Sequence, residues 1–306
     1  MTPPEMPPLP PDFGRIGLGC VTFGREIDEA AAFALMDHAY SRGVRGFDTA
    51  AAYGGGASER LVGRWLAARR PAGGSLIVAT KLLPPYTPEA LRAGVEASRQ
   101  RLGVDTLDVL YLHRWDATVE ADAVLVALDR LVNEGRVRHL GFSNVTAAPL
   151  ERLLERQAAL GLAPFRAVQN NHNLAVCDLD ESLRTIARRL GLALVGYSPL
   201  AAGFLTGKHR HGAAPDTRFT LVPGHQDVYF HPTAFRRLDH LLAVAARTGH
   251  PAIHLALAWA LHQPDIGTVL VGGRTPAHLD QAFDALAFND AAVLAELAML
   301  GGNSGS

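Results

Sequence analysis

Short apolar segments alternate along the chain with longer segments whose apolar residues recur every three or four positions. The short segments are apolar without alternation, as in Leu192 to Gly196, which is typical of parallel strands covered by helices on both faces. The longer segments have the period of amphipathic helices, as in 28–42, where Ala31, Leu35 and Ala39 share one face. The pattern therefore predicts eight strands that alternate with helices.

Most predicted strands are followed at once by a predicted helix. The strands span residues 16–20, 44–47, 76–81, 107–113, 137–142, 166–170, 192–197 and 266–271. The helices span residues 28–42, 58–66, 88–102, 119–134, 147–160, 179–190, 234–248 and 252–262, and a C-terminal helix begins at Pro276. A long irregular stretch separates the seventh strand from residue 234, and we interpret it as a polar lid.

Strands and helices that alternate without a change of composition favour a single-domain (β/α)8 TIM barrel. We predict that it spans residues 14–300, after a flexible proline-rich leader at 1–13 and before a flexible tail at 301–306. The main alternative is an open doubly wound sheet, which carries a glycine-rich fingerprint after its first strand. The segment from Gly17 to Thr22 has no third glycine and opens no helix, so we reject that alternative.

Composition and charge exclude several classes of function. The chain has 306 residues, 48% of them hydrophobic, which is enough for one large core. A net charge of −1 gives no long-range attraction to nucleic acid or acidic membranes, and no apolar run is long enough to span a bilayer. The N-terminus lacks the features of a signal peptide, and the distant Cys20 and Cys177 suit a reducing compartment. These features predict a soluble, cytoplasmic protein and leave its oligomeric state open.

Ionisable residues stand at the ends of three buried strands. Asp48 follows the second strand and Tyr53 lies five positions later, while the third strand ends on Lys81 and the fourth on His113. A buried charge is costly unless it has a partner, so these residues are expected to lie together. In a TIM barrel they would meet at the C-terminal ends of the strands, where active sites lie.

In order and spacing, Asp48, Tyr53, Lys81 and His113 resemble the catalytic tetrad of the aldo-keto reductase superfamily. Further motifs similar to family patterns are Gly141-Phe142-Ser143-Asn144, Tyr197-Ser198-Pro199-Leu200 and Gly203-Phe204-Leu205-Thr206-Gly207-Lys208. Each motif is weak alone, but their shared order extends the resemblance over residues 18–286. The resemblance implies a nicotinamide-dependent oxidoreductase that reduces an aldehyde or ketone to the alcohol.

The resemblance implies a role for each member of the tetrad. Tyr53 would be the general acid for the developing alkoxide, and Lys81 would lower its pKa from about 10, the value of free tyrosine. Asp48 would hold Lys81 in an ion pair, and His113 would orient the carbonyl. Taken singly, an Asp–Lys ion pair and a core histidine are ordinary structural features. The four together, in this order, point to catalysis.

A nicotinamide cofactor is implied across the strand ends. Ser143, Asn144 and Gln169 would hold its carboxamide, and Tyr197 would stack on its ring. The phosphates are expected near the last two strands, a common location in this fold. The other predicted cofactor-binding residues are Gly19, Thr22, Ser198, Leu200, Gly203, Lys208, Gly272, Gly273, Arg274, His278 and Gln281.

Arg274 favours NADP over NAD. It precedes the helix that begins at Pro276, and an arginine at a helix N-terminus is a good anion site. The sequence departs from the family pattern nearby, at Gly272, Gly273, His278, Gln281 and Ala282. Many members have a lysine and a serine at the first two of these positions and a Glu-Asn pair at the last two. The NADP preference therefore depends on Arg274, with His278 as a helper, and the adenine end is expected to be held differently.

Aromatic residues near the strand ends are candidates for a substrate pocket. Phe23, Tyr86 and Trp115 follow the first, third and fourth strands, and Tyr229 lies in the irregular stretch. Each is equally compatible with ordinary packing. The asparagines of the run from Asn170 to Asn173 fit turn chemistry after a strand. The histidines of the irregular stretch have no recognised metal-ligand spacing, so no metal site is predicted.

Two functions from different classes agree with these residues. The first is an NAD(P)H-dependent reductase whose small-molecule carbonyl substrate is a keto-sugar or a secondary metabolite. The second is a regulatory barrel that binds the cofactor and reports redox state to a partner protein. A lyase or isomerase is disfavoured because the sequence contains no metal motif and no Schiff-base lysine distinct from Lys81.

Overall fold

The computed structural model describes residues 13–69, 76–215 and 217–301. Within these ranges, eight parallel strands close into a barrel in the order of the sequence. The strands are β1 (Ile16–Gly19), β2 (Gly46–Asp48), β3 (Ile77–Leu82), β4 (Leu107–Leu112), β5 (Val137–Ser143), β6 (Phe165–Asn171), β7 (Ala193–Tyr197) and β8 (Ile266–Gly272). The last strand closes the ring against the first, with Leu18 opposite Val271. The predicted (β/α)8 barrel is confirmed.

Helices connect the strands and cover the outside of the barrel. They are α1 (Glu29–Ser41), α2 (Ala57–Arg69), α3 (Pro88–Leu102), α4 (Asp122–Asn133), α5 (Ala147–Ala159), α6 (Glu181–Leu190), α7 (Arg218–Leu221), α8 (Gly224–Tyr229), α9 (Pro232–Thr248), α10 (Ala252–Leu261), α11 (Pro276–Leu286) and α12 (Ala291–Gly301). Short 3-10 helices cover Tyr53–Gly56, Ala117–Glu120 and Ala201–Thr206. The stretch after β7, predicted to be irregular, therefore contains α7 and α8, which are too short to give a periodic pattern.

Local capping chemistry sets the ends of several helices. Asp28 accepts a hydrogen bond from the backbone N–H of Ala31, 2.9 Å away, and so caps the start of α1. Thr87 caps α3 in the same way and is followed by proline, which suits the first turn of a helix. The same helix ends at Gly103, whose φ of 67° lies in the left-handed region that glycine adopts without strain.

Two aromatic rings fill the inside of the barrel beside glycines on its strands. A Cβ on Gly46 would meet the Phe13 ring at 2.1 Å, and a Cβ on Gly141 would meet the Tyr111 ring at 2.4 Å. The missing side chains of these glycines leave room for the rings. Phe13 is only 3% exposed, so its assignment to a flexible leader is wrong. Within the described residues, the apolar core therefore includes Phe13, one residue before the predicted start of the barrel.

The rest of the predicted leader, residues 1–12, lies outside the described residues. The predicted tail also lies outside them, apart from its first residue, which ends α12. Among the helices that the structure describes, none is both long and apolar enough to cross a membrane.

Helices α2 and α3 lie in close contact at Gly63. A Cβ on Gly63 would lie 2.5 Å from the backbone oxygen of Arg101 and 2.7 Å from that of Leu102. Backbone atoms cannot move aside as a side-chain end can, so this contact requires glycine. In α3, by contrast, a Cβ on Gly94 would meet the side-chain carbons of Leu82, the nearest of them at 2.8 Å.

We predict that Gly63→Ala lowers the stability of the protein by about 1–3 kcal/mol, the usual cost of overpacking. The matched control is Gly94→Ala, where relief of the intrinsic helix penalty of glycine, about 1 kcal/mol, offsets the shift of Leu82. Thermal unfolding followed by circular dichroism measures both variants. Equal effects of the two substitutions would show that the backbone contact at Gly63 is unimportant.

Candidate active site

A cavity of about 620 Å³ opens at the C-terminal ends of the barrel strands. Its wall includes the last residue of β1, Gly19, and the last residue of β2, Asp48. Ser143 of β5, Tyr197 of β7 and Gly272 of β8 reach it in the same way. The polar residues predicted at the strand ends thus converge on one chamber.

A buried chain of contacts joins three of the predicted catalytic residues. Lys81 Nζ donates a short hydrogen bond to Asp48 Oδ1 and another, of 2.9 Å, to the backbone oxygen of Thr49. It also lies 3.4 Å from the Tyr53 hydroxyl. Lys81 is 1% exposed and Asp48 3%, so the ion pair is shielded from water. Gln169 Nε2 donates to the other Asp48 oxygen at 2.8 Å, which leaves the carboxylate bonded on both sides.

Burial and neighbouring charges compete to set the pKa values of Lys81 and Tyr53. Burial lowers the pKa of Lys81, but Asp48 and Tyr53 together outweigh burial, so the pKa of Lys81 is raised. Burial raises the pKa of the Tyr53 phenol, and the Lys81 ammonium acts in the opposite direction. The expected net lowering of the Tyr53 pKa is therefore wrong for the protein alone, although Lys81 has the expected sign. The raised pKa keeps the phenol protonated at neutral pH.

His113 completes the tetrad as a neutral imidazole. Its ring centre lies 5.8 Å from that of Tyr53, nearly edge to face. Burial, followed by the charge of Lys81, lowers the pKa of His113 to about 3. Its Nδ1 is buried and has no hydrogen-bond partner among the described residues. The structure therefore brings together all four residues of the predicted tetrad.

The amide groups at the ends of β5 and β6 form an ordered network. Asn144, at a φ of 55°, donates from Nδ2 to the backbone oxygen of His113 at 2.8 Å and to Ser143 Oγ at 3.1 Å. Its Oδ1 accepts from the Tyr197 hydroxyl at 2.6 Å, which fixes the orientation of that ring. Both the nitrogen and the oxygen of the Asn144 amide are therefore hydrogen-bonded within the protein. Ser143 keeps its hydroxyl proton and Gln169 its amide oxygen, a donor and an acceptor on the same wall.

The opposite end of the cavity is formed by the loops after β7 and β8. All fifteen residues predicted to bind the cofactor line the cavity, namely Gly19, Thr22, Ser143, Asn144, Gln169, Tyr197, Ser198, Leu200, Gly203, Lys208, Gly272, Gly273, Arg274, His278 and Gln281. Thr22 Oγ1 donates to the backbone oxygen of Gly273 at 3.0 Å, which ties the β1 loop to the β8 loop. The backbone N–H of Arg274 donates to His278 Nδ1 at 3.2 Å.

The three aromatic residues predicted for the substrate pocket do not line this cavity. Tyr86 is fully buried and its hydroxyl bonds to the backbone oxygen of Arg114 at 2.8 Å, so it holds two loops together. Trp115 stacks on Phe142 of the core at 5.9 Å between ring centres. Phe23 is fully buried as well. In each case packing against the core, which a lone aromatic in a sequence does not reveal, takes the ring away from the cavity.

The cavity wall also contains Arg218 and His225, from α7 and α8, which were not predicted. Tyr229, a candidate for the substrate pocket, ends α8 and lines the cavity. Arg218 lies 3.5 Å from Glu26 of the β1 loop, so the two loops meet across the cavity. Asn171, assigned to turn chemistry, lines the cavity too. Apart from the aromatic pattern at Tyr229, the sequence carried no signal for these positions.

Among the described residues, no group of three or more histidine, cysteine, aspartate or glutamate side chains is arranged to hold a metal ion. Both cysteines are free thiols, and Cys20 lines the cavity. Complete burial raises the pKa of the Cys20 thiol, so it is poorly suited to act as a thiolate.

The comparison with known proteins agrees with this geometry. The model of the Aldo/keto reductase family matches residues 15–295, nearly the whole chain. The chain belongs to the aldo/keto reductase family. Membership supports carbonyl reduction by an oxidoreductase at the level of the family, which generally uses nicotinamide cofactors.

Several members of the aldo/keto reductase family are similar to this chain over most of its length. "Probable aldo-keto reductase 1" of Glycine max is 30% identical over 301 residues, which cover 90% of this chain and 82% of the relative. "Norsolorinic acid reductase" of Aspergillus flavus is 30% identical over 291 residues, covering 88% and 72%. "Norsolorinic acid reductase A" of Aspergillus parasiticus is 29% identical over the same length and coverage.

Proposed function

We propose that the protein is an NADPH-dependent reductase that converts an aldehyde or ketone, such as a keto-sugar or secondary metabolite, to its alcohol. The observation that carries the proposal is the buried contact of Lys81 with both Asp48 and Tyr53 beside a neutral His113. Two similar proteins are named as reductases, which supports catalysis over a purely regulatory cofactor-binding role.

The residues of the cavity fit a nicotinamide dinucleotide. A carboxamide needs a donor for its oxygen and an acceptor for its N–H, and Ser143 and Gln169 offer these groups. The ring of Tyr197, fixed by its bond to Asn144, offers a flat face for stacking. At the phosphate end, Lys208 and Arg274 supply positive charge around the cavity. The bound nicotinamide would supply the hydride.

The protein side chains would handle the proton and the orientation of the substrate. Tyr53 would donate its proton to the oxygen of the reduced carbonyl as negative charge develops there. Lys81, anchored by Asp48, would stabilise the phenolate that remains. His113, as a neutral imidazole protonated on Nε2, would donate a hydrogen bond to the carbonyl oxygen. The Lys81 ammonium opposes the effect of burial on the pKa of Tyr53, so it eases the loss of the proton from the phenol.

Tyr53→Phe should reduce the turnover number by roughly 10²–10⁴-fold and leave cofactor affinity unchanged, because it removes only the proton donor. The matched control is Tyr40→Phe, because the ring of Tyr40 packs on Trp65 and does not line the cavity, so the variant should retain most of the activity. Oxidation of NADPH with benzaldehyde, followed at 340 nm, measures both. Retention of more than about a tenth of the wild-type rate by Tyr53→Phe would exclude the proton-transfer role.

Arg274→Ala should weaken the binding of NADPH by roughly 10- to 100-fold and that of NADH much less, because only NADPH carries the 2′-phosphate. Lys208→Ala is the matched control and should weaken both cofactors alike, since they share the pyrophosphate. Dissociation constants for both cofactors are measured by quenching of tryptophan fluorescence. An equal loss for both cofactors in Arg274→Ala would mean that the arginine does not read the 2′-phosphate.

A further inference from the structure

Asn171 presents to the cavity an amide whose orientation is fixed by its neighbours. Asn173 Oδ1 accepts from the backbone N–H groups of Ala175 and Val176 at 2.9 and 3.0 Å, so Asn173 Nδ2 must face the other way. From there it donates to Asn171 Oδ1 at 2.9 Å. A second donor, the Tyr229 hydroxyl, reaches the same oxygen at 3.1 Å. The two backbone groups therefore determine the orientation of both amides.

This arrangement uses only the amide oxygen of Asn171 and leaves its amide nitrogen, Nδ2, available. Oδ1 of Asn171 accepts from Asn173 and Tyr229, and a flip of the amide would place its own N–H groups against those of Asn173, which can only donate. Within the part of the chain that the structure describes, Nδ2 has no acceptor, and Asn171 is 4% exposed in the cavity wall. An inward-facing amide nitrogen without a partner is a specific binding group, because leaving it unpaired in a closed site is costly.

Asn171 lies across the barrel mouth from the catalytic tyrosine. Alternate residues of a strand point to the same side, so Asn171 shares the inward face of β6 with Gln169, which reaches Asp48. In a ring of eight strands β6 stands opposite β2, the strand that precedes Tyr53. A ligand that bonds to both residues must carry a second polar group besides the reacting carbonyl.

The wall beside Asn171 is polar as well. His225 lines the cavity, and its Nδ1 is buried without a hydrogen-bond partner among the described residues. Its ring lies 6.5 Å from that of Tyr229, the residue that holds Asn171. The wall opposite Tyr53 therefore offers polar groups rather than a continuous apolar surface.

We propose that Asn171 is a specificity-determining residue whose Nδ2 donates a hydrogen bond to a substrate oxygen other than the reacting carbonyl. The inference rests on the proposed reductase function and narrows its substrate class. The preferred substrates carry a second acceptor oxygen, as hydroxyl, ether or carbonyl, across the barrel mouth from the reacting group. A site built to hydrogen-bond such an oxygen discriminates against analogues that lack it. Tyr229 acts as a positioning residue, since it holds the amide in this orientation.

The test uses benzaldehydes that carry a methoxy group at the ortho, meta or para position, each paired with the ethyl compound of similar shape. The methoxy oxygen accepts a hydrogen bond and the ethyl group does not. For each pair, kcat/KM with NADPH is measured, and the dissociation constants are measured separately on the complex with NADP⁺. Wild-type protein should prefer the methoxy compound at one ring position by roughly three- to tenfold in both measurements.

Asn171→Asp tests the donor alone, because a carboxylate still accepts from Tyr229 and Asn173. The methoxy-to-ethyl ratio should fall to about one or below. Tyr229→Phe should lower it less, because Asn173 still holds the amide oxygen of Asn171. The control is Asn289→Asp, the same substitution at an exposed asparagine between α11 and α12 that does not line the cavity. It should retain the wild-type ratio.

The inference is overturned if wild-type protein distinguishes none of the pairs, or if Asn171→Asp keeps the wild-type ratio. If Asn171→Asp keeps that ratio and also weakens the binding of NADPH, Nδ2 binds the cofactor and not the substrate. Turnover of none of the aldehydes by wild-type protein would contradict the reductase function. The binding ratios would still decide the role of Asn171 in that case.

Discussion

The active site depends on one buried ion pair, between Lys81 and Asp48. Taking two charges out of water is stabilising only where good geometry and further hydrogen bonds compensate for lost hydration. The barrel provides both, since the backbone of Thr49 accepts from the ammonium and Gln169 donates to the carboxylate. Three strands, β2, β3 and β6, each contribute one of the charged or amide side chains. The closed ring brings these distant parts of the sequence to one point.

The ammonium of Lys81 acts on the pKa of Tyr53 and His113 in the same direction, downward, against burial at Tyr53 and together with burial at His113. It lies close enough to Tyr53 to stabilise a phenolate, and it opposes the effect of burial on the pKa of that phenol. At His113 the same charge adds to burial and lowers the pKa to about 3, so the imidazole stays neutral. Tyr53 is thereby prepared to give up a proton, and His113 to donate a hydrogen bond as a neutral group.

The sequence predicted those parts of the site that belong to regular elements. Asp48, Lys81 and Gln169 stand at the ends of apolar strands, where a polar residue is conspicuous, and the barrel brings strand ends together. Asn171 could not be assigned, because its orientation is set by Asn173 and by a tyrosine 58 residues further along the chain. Arg218 and His225 lie on helices of only four and six residues, too short for a periodic signal. Whether an aromatic ring faces the cavity or the core is decided by packing, so Tyr86 and Trp115 were misplaced.

The most direct test of this account is the pH dependence of alcohol oxidation in Lys81→Met, because in that direction Tyr53 must accept a proton. Loss of the ammonium leaves burial unopposed, so the pKa of the phenol should rise and the activity midpoint should move to higher pH, with partial recovery in alkali. Asp48→Asn should not raise the midpoint, because the ammonium remains and the Asp48 charge itself raises the pKa of Tyr53. An unchanged midpoint in Lys81→Met, with only the amplitude reduced, would contradict the assignment of Lys81 to proton transfer.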